Sequence, residues 1–94
     1  MNIETGDYVT LKSIDEVKPL YKYWTEEDNG CVDTDTNYFT EEMLEAMESS
    51  NKHRVVGVDK DSDTIWVDIE GKMFGFEEMC IKEVYRLTKV ASRK

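Results

Sequence analysis

The residues best spaced for chemistry in this 94-residue chain lie in the stretch DKDSDTIWVDIE. Asp59, Asp61, Asp63 and Glu70 take the first, third, fifth and twelfth places of an EF-hand loop, where oxygen ligands for calcium belong. Two features oppose that reading. Thr64 stands at the sixth place, where the sharp turn requires glycine, and the residues beyond it alternate as a strand rather than continuing as the exiting helix. The stretch therefore reads as a polar hairpin turn. DTDTN, with Asp33, Asp35 and Asn37, repeats the spacing without an acid at the twelfth place.

Catalytic groups are sparse. His53 is the only histidine, and beside Arg54 at a strand start it reads as a surface imidazole rather than a general base. Cys31 has acidic neighbours and no basic one, which disfavours a thiolate. Cys31 and Cys80, in a chain without a secretory signature, read as reduced thiols. One histidine and two distant cysteines make no zinc set, and no glycine loop is suited to cradling phosphate. The glutamate pairs are adjacent residues whose side chains diverge on a helix. The sequence thus predicts a protein that is not an enzyme and carries no metal or cofactor.

Charge is the strongest global feature. Twenty-one acidic residues against twelve basic give a net charge of −9. Residues 26–48 hold nine carboxylates and no Lys or Arg, namely Glu26, Glu27, Asp28, Asp33, Asp35, Glu41, Glu42, Glu45 and Glu48. In the last fourteen residues the sign inverts, with Lys82, Arg86, Lys89, Arg93 and Lys94 against Glu83 alone. Such a field repels phosphate backbones and favours cationic partners or plain solubility. Direct nucleic-acid binding and membrane insertion are not expected. No apolar run reaches bilayer length and no signal segment is evident, so a cytoplasmic location is expected.

Elements that would position these groups follow from periodicity. Hydrophobic residues at 39% and aromatics at 11% suit one folded domain, expected over 1–88 with a frayed basic tail at 89–94. DYVTLK alternates as a strand. Residues 13–38 show no sustained period, and Pro19 discourages a continuous helix. TEEDNGCVDTDTN reads as a long acidic loop. Thr40 is a good N-cap for a short helix, with Glu41 and Glu42 in its first turn and Phe39 positioned to staple Leu44. That helix is predicted to turn Met43 and Met47 inward and leave Glu41, Glu45 and Glu48 in solvent. RVVGV, TIWVDIE and MFGF read as a meander with a tight GK turn, followed by a helical turn at EEM and a last strand at EVYRL. In the middle strand Ile65, Val67 and Ile69 face one way, and Trp66, Asp68 and Glu70 the other.

FTEEM and FEEM share residues but not flanks: one opens a helix, the other follows a strand. They read as two aromatic and methionine plugs, each sealing an open end of the same small fold, rather than as a repeat.

The pieces GDYVTL, YFTEEM, HRVVGV, TIWVDIEGKMFGFEEM and EV, in that order, resemble small SH3-like barrel proteins, many of them encoded by bacteriophages. The resemblance spans most of residues 6–84. It implies a mainly β fold: a small SH3-like barrel of about five antiparallel strands with one short helix and a long acidic loop. The fold hosts unrelated activities, so the resemblance implies little about function. The chain departs from the pattern in placing Asn51 and Lys52 where Gly-Lys is usual, a place where Asn tolerates the left-handed conformation. Its Thr25–Tyr38 loop is also longer and more acidic.

Two readings of function follow. In the first, the domain is a protein-binding module, expected in a phage-type accessory protein that binds and modulates a host protein with a basic surface. Tyr21, Tyr23, Trp24 and Trp66 serve as aromatic anchors, and Glu26, Glu27, Asp28, Asp33 and Asp35 steer the partner. In the second, the carboxylates of residues 26–48 imitate a phosphate track and inhibit a host nucleic-acid enzyme such as a polymerase or CRISPR nuclease.

Overall fold

A computed structural model describes residues 2–21, 24–26, 30–31 and 37–86. Among the described residues, eight strands and two α-helices follow in the order β1 (Tyr8–Leu11), α1 (Ile14–Val17), β2 (Trp24–Thr25), β3 (Gly30–Cys31), β4 (Asn37–Tyr38), α2 (Glu41–Ser49), β5 (His53–Asp59), β6 (Thr64–Ile69), β7 (Lys72–Glu77) and β8 (Ile81–Tyr85). Short 3₁₀ turns occupy Lys18–Leu20 and Glu78–Cys80.

The fold is mainly β. Five antiparallel strands form one sheet in the order β7-β6-β5-β1-β8, and the two-residue strands β2, β3 and β4 form a second. Among the described residues the expected ring closure does not occur: β7 and β8 are the two edges of the main sheet, with a 3₁₀ turn between them in sequence. The acidic stretch after Trp24 also differs from a plain loop, since its described residues contribute the three short strands.

Two helices are present where one was expected. α1 lies in the stretch that shows no period because its four residues are too few for one to develop. Its signal is a capping box. The Ser13 amide donates to Glu16 Oε1 at 3.0 Å and the Glu16 amide to Ser13 Oγ at 3.3 Å. Pro19 then falls at the start of a 3₁₀ turn, where its missing N–H costs nothing. α2 begins as its cap dictates, with the Met43 amide donating to Thr40 Oγ1 at 3.3 Å. Met43, Ala46 and Met47 are buried, while Glu41, Glu45 and Glu48 are exposed. The left-handed residue that ends it is Ser50 (φ 62°), one place before Asn51.

Between β6 and β7 the turn is centred on Glu70 and Gly71, one residue earlier than GK suggests. Both have positive φ, 52° and 87°, the geometry of a two-residue hairpin turn matched to strand twist. That turn sets the register, pairing Ile65 with Phe76, Trp66 with Gly75, Val67 with Phe74 and Asp68 with Met73.

Because side chains alternate, the sheet has an inner and an outer face. Val9, Leu11, Val55, Ile65, Val67, Ile69, Phe76 and Ile81 are buried in the core with the α2 residues. Trp66, Asp68 and Glu70 are exposed, as the alternation predicts. The two aromatic and methionine motifs do not plug separate ends. Their aromatics, Phe39 and Phe76, meet with ring centroids 6.3 Å apart.

Candidate partner-binding surface

The outer face of the main sheet exposes several large hydrophobic side chains. Of the large hydrophobic residues left exposed, Val56 (38%), Trp66 (37%), Met73 (63%) and Tyr85 (37%) belong to its strands. Val56 is outward by simple alternation after buried His53 and Val55, and the bulge that follows it, with Val55 paired to Val67 and Gly57 to Trp66, keeps Gly57 on the same face. Directly opposed residues form a row across all five strands, running Tyr85, Tyr8, Arg54, Asp68 and Met73. At its Tyr85 end stands Lys52, whose Nζ lies 4.0 Å from the centroid of the Tyr85 ring.

Trp66 is held flat on this face by what its neighbours lack. A Cβ on Gly75 would stand 3.0 Å from indole Cζ3 and 3.1 Å from Cη2, so only glycine lets the ring lie across β7. The indole then forms one wall of a groove of about 250 Å³. Its other walls include Tyr21, Phe39, Phe76 and Glu77. The Tyr21 hydroxyl donates to Glu77 Oε1 at 3.1 Å. Burial, and the Cys80 and Glu77 groups beside it, push the Tyr21 pKa up, so it remains a neutral donor.

The remaining sequence-predicted anchors divide. Tyr21 and Trp24 are partly buried and pack with Phe39 in one aromatic cluster, at centroid distances of 6.0 Å and 5.8 Å. Tyr21 and Trp24 are themselves 5.9 Å apart. They support the groove from beneath, whereas Trp66 is the exposed member. Glu26 is exposed and pairs with Lys18 at 3.0 Å. Tyr23, Glu27, Asp28, Asp33 and Asp35 lie outside the described residues.

Two carboxylates of α2 have internal duties. Glu42 pairs with Lys72 of β7 at 3.1 Å, and Glu48 accepts the amide of Ile14 at 3.0 Å, tying α2 to α1. Asp59 caps its own turn, accepting the Asp61 amide at 3.0 Å. Glu70 stands at the opposite end of β6, about 20 Å along an extended strand of that length from the aspartates.

His53 corrects the sequence reading: it is buried, on the inner side of β5 between Val9 of β1 and α2, and not a surface imidazole. One ring nitrogen bonds the Ala46 backbone, Nε2 has no partner, and burial holds the pKa below the usual histidine value. The sulfhydryl of Cys80 is fully buried, and desolvation pushes its pKa up to about 11, so it stays a thiol. Among the described residues no three His, Cys, Asp or Glu side chains are grouped to hold a metal, and no helix is long and apolar enough to cross a membrane.

Val56, Met73 and Gly75 were absent from the sequence-predicted site. Gly75 escaped because a turn at Gly71-Lys72 would put Glu77 opposite Trp66, and only the turn at Glu70-Gly71 brings Gly75 there. Val56 was within reach, since alternation in RVVGV puts Arg54 and Val56 on the face opposite Val55.

No family model, curated protein or solved structure matches this chain.

Proposed function

We propose that this chain is a non-enzymatic protein-binding module of SH3-like type and that it binds a protein partner with a basic surface through the outer sheet face around Trp66. The observation that carries this reading is Trp66 itself. A large aromatic side chain costs little conformational entropy to immobilise, and here it is already fixed on Gly75, exposed, and flanked on its face by Val56 and Met73. An anchor held in one pose loses less freedom on binding. The net charge of −9 favours a cationic partner by steering its approach. The SH3-like assignment is supported by five antiparallel strands, of which β5, β6 and β7 are joined by hairpins, with the first strand beside the last. The phage-type role modulating a host protein rests on the sequence resemblance.

Imitation of nucleic acid by the carboxylates is the weaker reading, since Glu42 and Glu48 serve the fold. The test is affinity capture from a bacterial lysate with the wild-type chain and with Trp66→Ala. The module reading expects a captured protein that Trp66→Ala no longer retains while its circular dichroism is unchanged. Equal capture by the variant refutes it. Capture that survives Trp66→Ala but fails after joint neutralisation of Glu26, Glu27, Asp28, Asp33 and Asp35 favours imitation.

A further inference from the structure

The two edges of the main sheet are built differently. β8 carries Lys82 and Glu83 in mid-strand, the charges by which edge strands discourage pairing with other chains. β7, sequence KMFGFE, has none between its ends: Met73, Phe74, Gly75 and Phe76 form an uncharged run with no proline. Among the described residues β7 pairs with β6 alone. In an extended strand alternate residues direct their amide and carbonyl groups to the other side. The groove bounded by Trp66, Tyr21, Phe39 and Phe76 opens beside this edge at Gly75.

We propose that the edge of β7 binds an extended segment of the protein partner by strand addition, with a lysine or arginine side chain of that segment seated in the adjoining groove. This rests on the protein-binding reading and specifies its mode. Backbone pairing supplies register-tolerant affinity, and the groove supplies selectivity. Its walls suit a cationic side chain: the aromatic rings cover an aliphatic stem and the Trp66 face attracts a cation. The net charge of −9 disfavours a second copy of the chain on this edge.

The experiment follows backbone amides of the full chain by NMR and hydrogen exchange while titrating an acetylated, amidated hexapeptide of alternating valine and arginine. Controls are the valine-glutamate counterpart and a valine-arginine peptide N-methylated at alternate residues to remove backbone donors. Strand addition expects shifts concentrated in residues 72–77, at least about tenfold added exchange protection at the outward-facing β7 amides, and loss of both with either control. Trp66→Ala should weaken the peptide while leaving the amide spectrum of the core in place. A Trp66 response to the peptide without β7 protection overturns strand addition and leaves the module reading standing. So does equal binding of the N-methylated peptide. Protection of β7 already complete without peptide also overturns it: if concentration-dependent, a second copy occupies the edge, and if not, the chain covers its own edge. No shift anywhere at millimolar peptide overturns the proposal, while lysate capture judges the module reading independently.

Discussion

The Trp66 indole lies across Gly75 of the neighbouring strand, closely enough that a Cβ there would come within 2.9 Å of Thr64 Cγ2 and 3.0 Å of the ring. The Thr64 methyl and the far edge of the ring must both give way, and both are ends of side chains rather than backbone. Gly75→Ala should therefore lift the indole off β7 at little cost in stability, about 1 kcal/mol or less, since alanine also restrains the strand backbone. Tryptophan fluorescence in a Trp24→Phe background would show a red shift, and partner capture should fall as it does for Trp66→Ala. An unshifted spectrum would mean that the ring is not held by this contact.

Phe76 and Met73 sit on the same strand but on opposite faces, one 1% exposed and the other 63%. Phe76→Ala should cost about 3 to 5 kcal/mol, because it removes a fully buried ring that contacts Phe39 and leaves a cavity. Met73→Ala should change stability by no more than about 0.5 kcal/mol. Denaturant titration measures both. The same Met73 variant should weaken partner capture, separating binding from folding on a single strand.

The alternation of Ile65, Val67 and Ile69 with Trp66, Asp68 and Glu70 made the two faces of β6 legible before any coordinates, and Thr40 with Met43 and Met47 did the same for α2. Local chemistry explains why: strand period and helix caps act over a few residues. What escaped depended on contacts distant in sequence. His53 precedes an exposed arginine and resembles a surface residue, and only the docking of α2 against β1 and β5 buries it. The open edges of the sheet escaped for the same reason, since five short strands fit a closed or an open arrangement equally well. Of the anchors named from sequence, Trp66 is exposed on the outer face, whereas Tyr21 and Trp24 are partly buried in the cluster with Phe39, a difference set by contacts between distant segments.

Buried His53 should give the protein a pH-dependent stability. Desolvation is the largest influence on it and depresses its pKa below 6.5, opposed by the Ala46 backbone bond and the nearby charge of Asp68. A folded-state pKa below the unfolded one means that the unfolded chain binds the proton more readily. The contribution is fully present above about pH 6.5 and is lost as pH falls through the depressed folded value. Thermal melts between pH 8 and 5 should show the decline, and His53→Gln, which cannot titrate, should flatten it. A wild-type profile unchanged across that interval would place the imidazole in solvent.

Asp7 should set a second, more acidic limit. Its carboxylate is 3% exposed and receives Arg86 Nε and Nη2, each at 2.9 Å, together with the Glu4 amide at 2.8 Å. Arg86 Nη2 also donates to the Asn2 carbonyl at 3.2 Å, so one guanidinium fastens the end of β8 to the segment leading into β1. The bonds from Arg86 lower the Asp7 pKa from 3.8 most, with burial opposing them. Depressed in the fold, the group stabilises above the ordinary carboxylate range, and that stability is lost as pH falls through its lowered value. Removing the guanidinium leaves burial to act with only the Glu4 amide against it, which raises the Asp7 pKa. Arg86→Ala should lower the melting temperature at neutral pH and move the onset of acid unfolding to higher pH. Arg86→Lys retains the charge but not the two-pronged geometry and should fall between it and wild type. In the Asp7→Asn background Arg86→Ala should shift the acid limb much less, because the titrating partner is gone. An equal acid shift in both backgrounds would mean that some other carboxylate governs the acid limit and that the clamp holds the strands without controlling their titration.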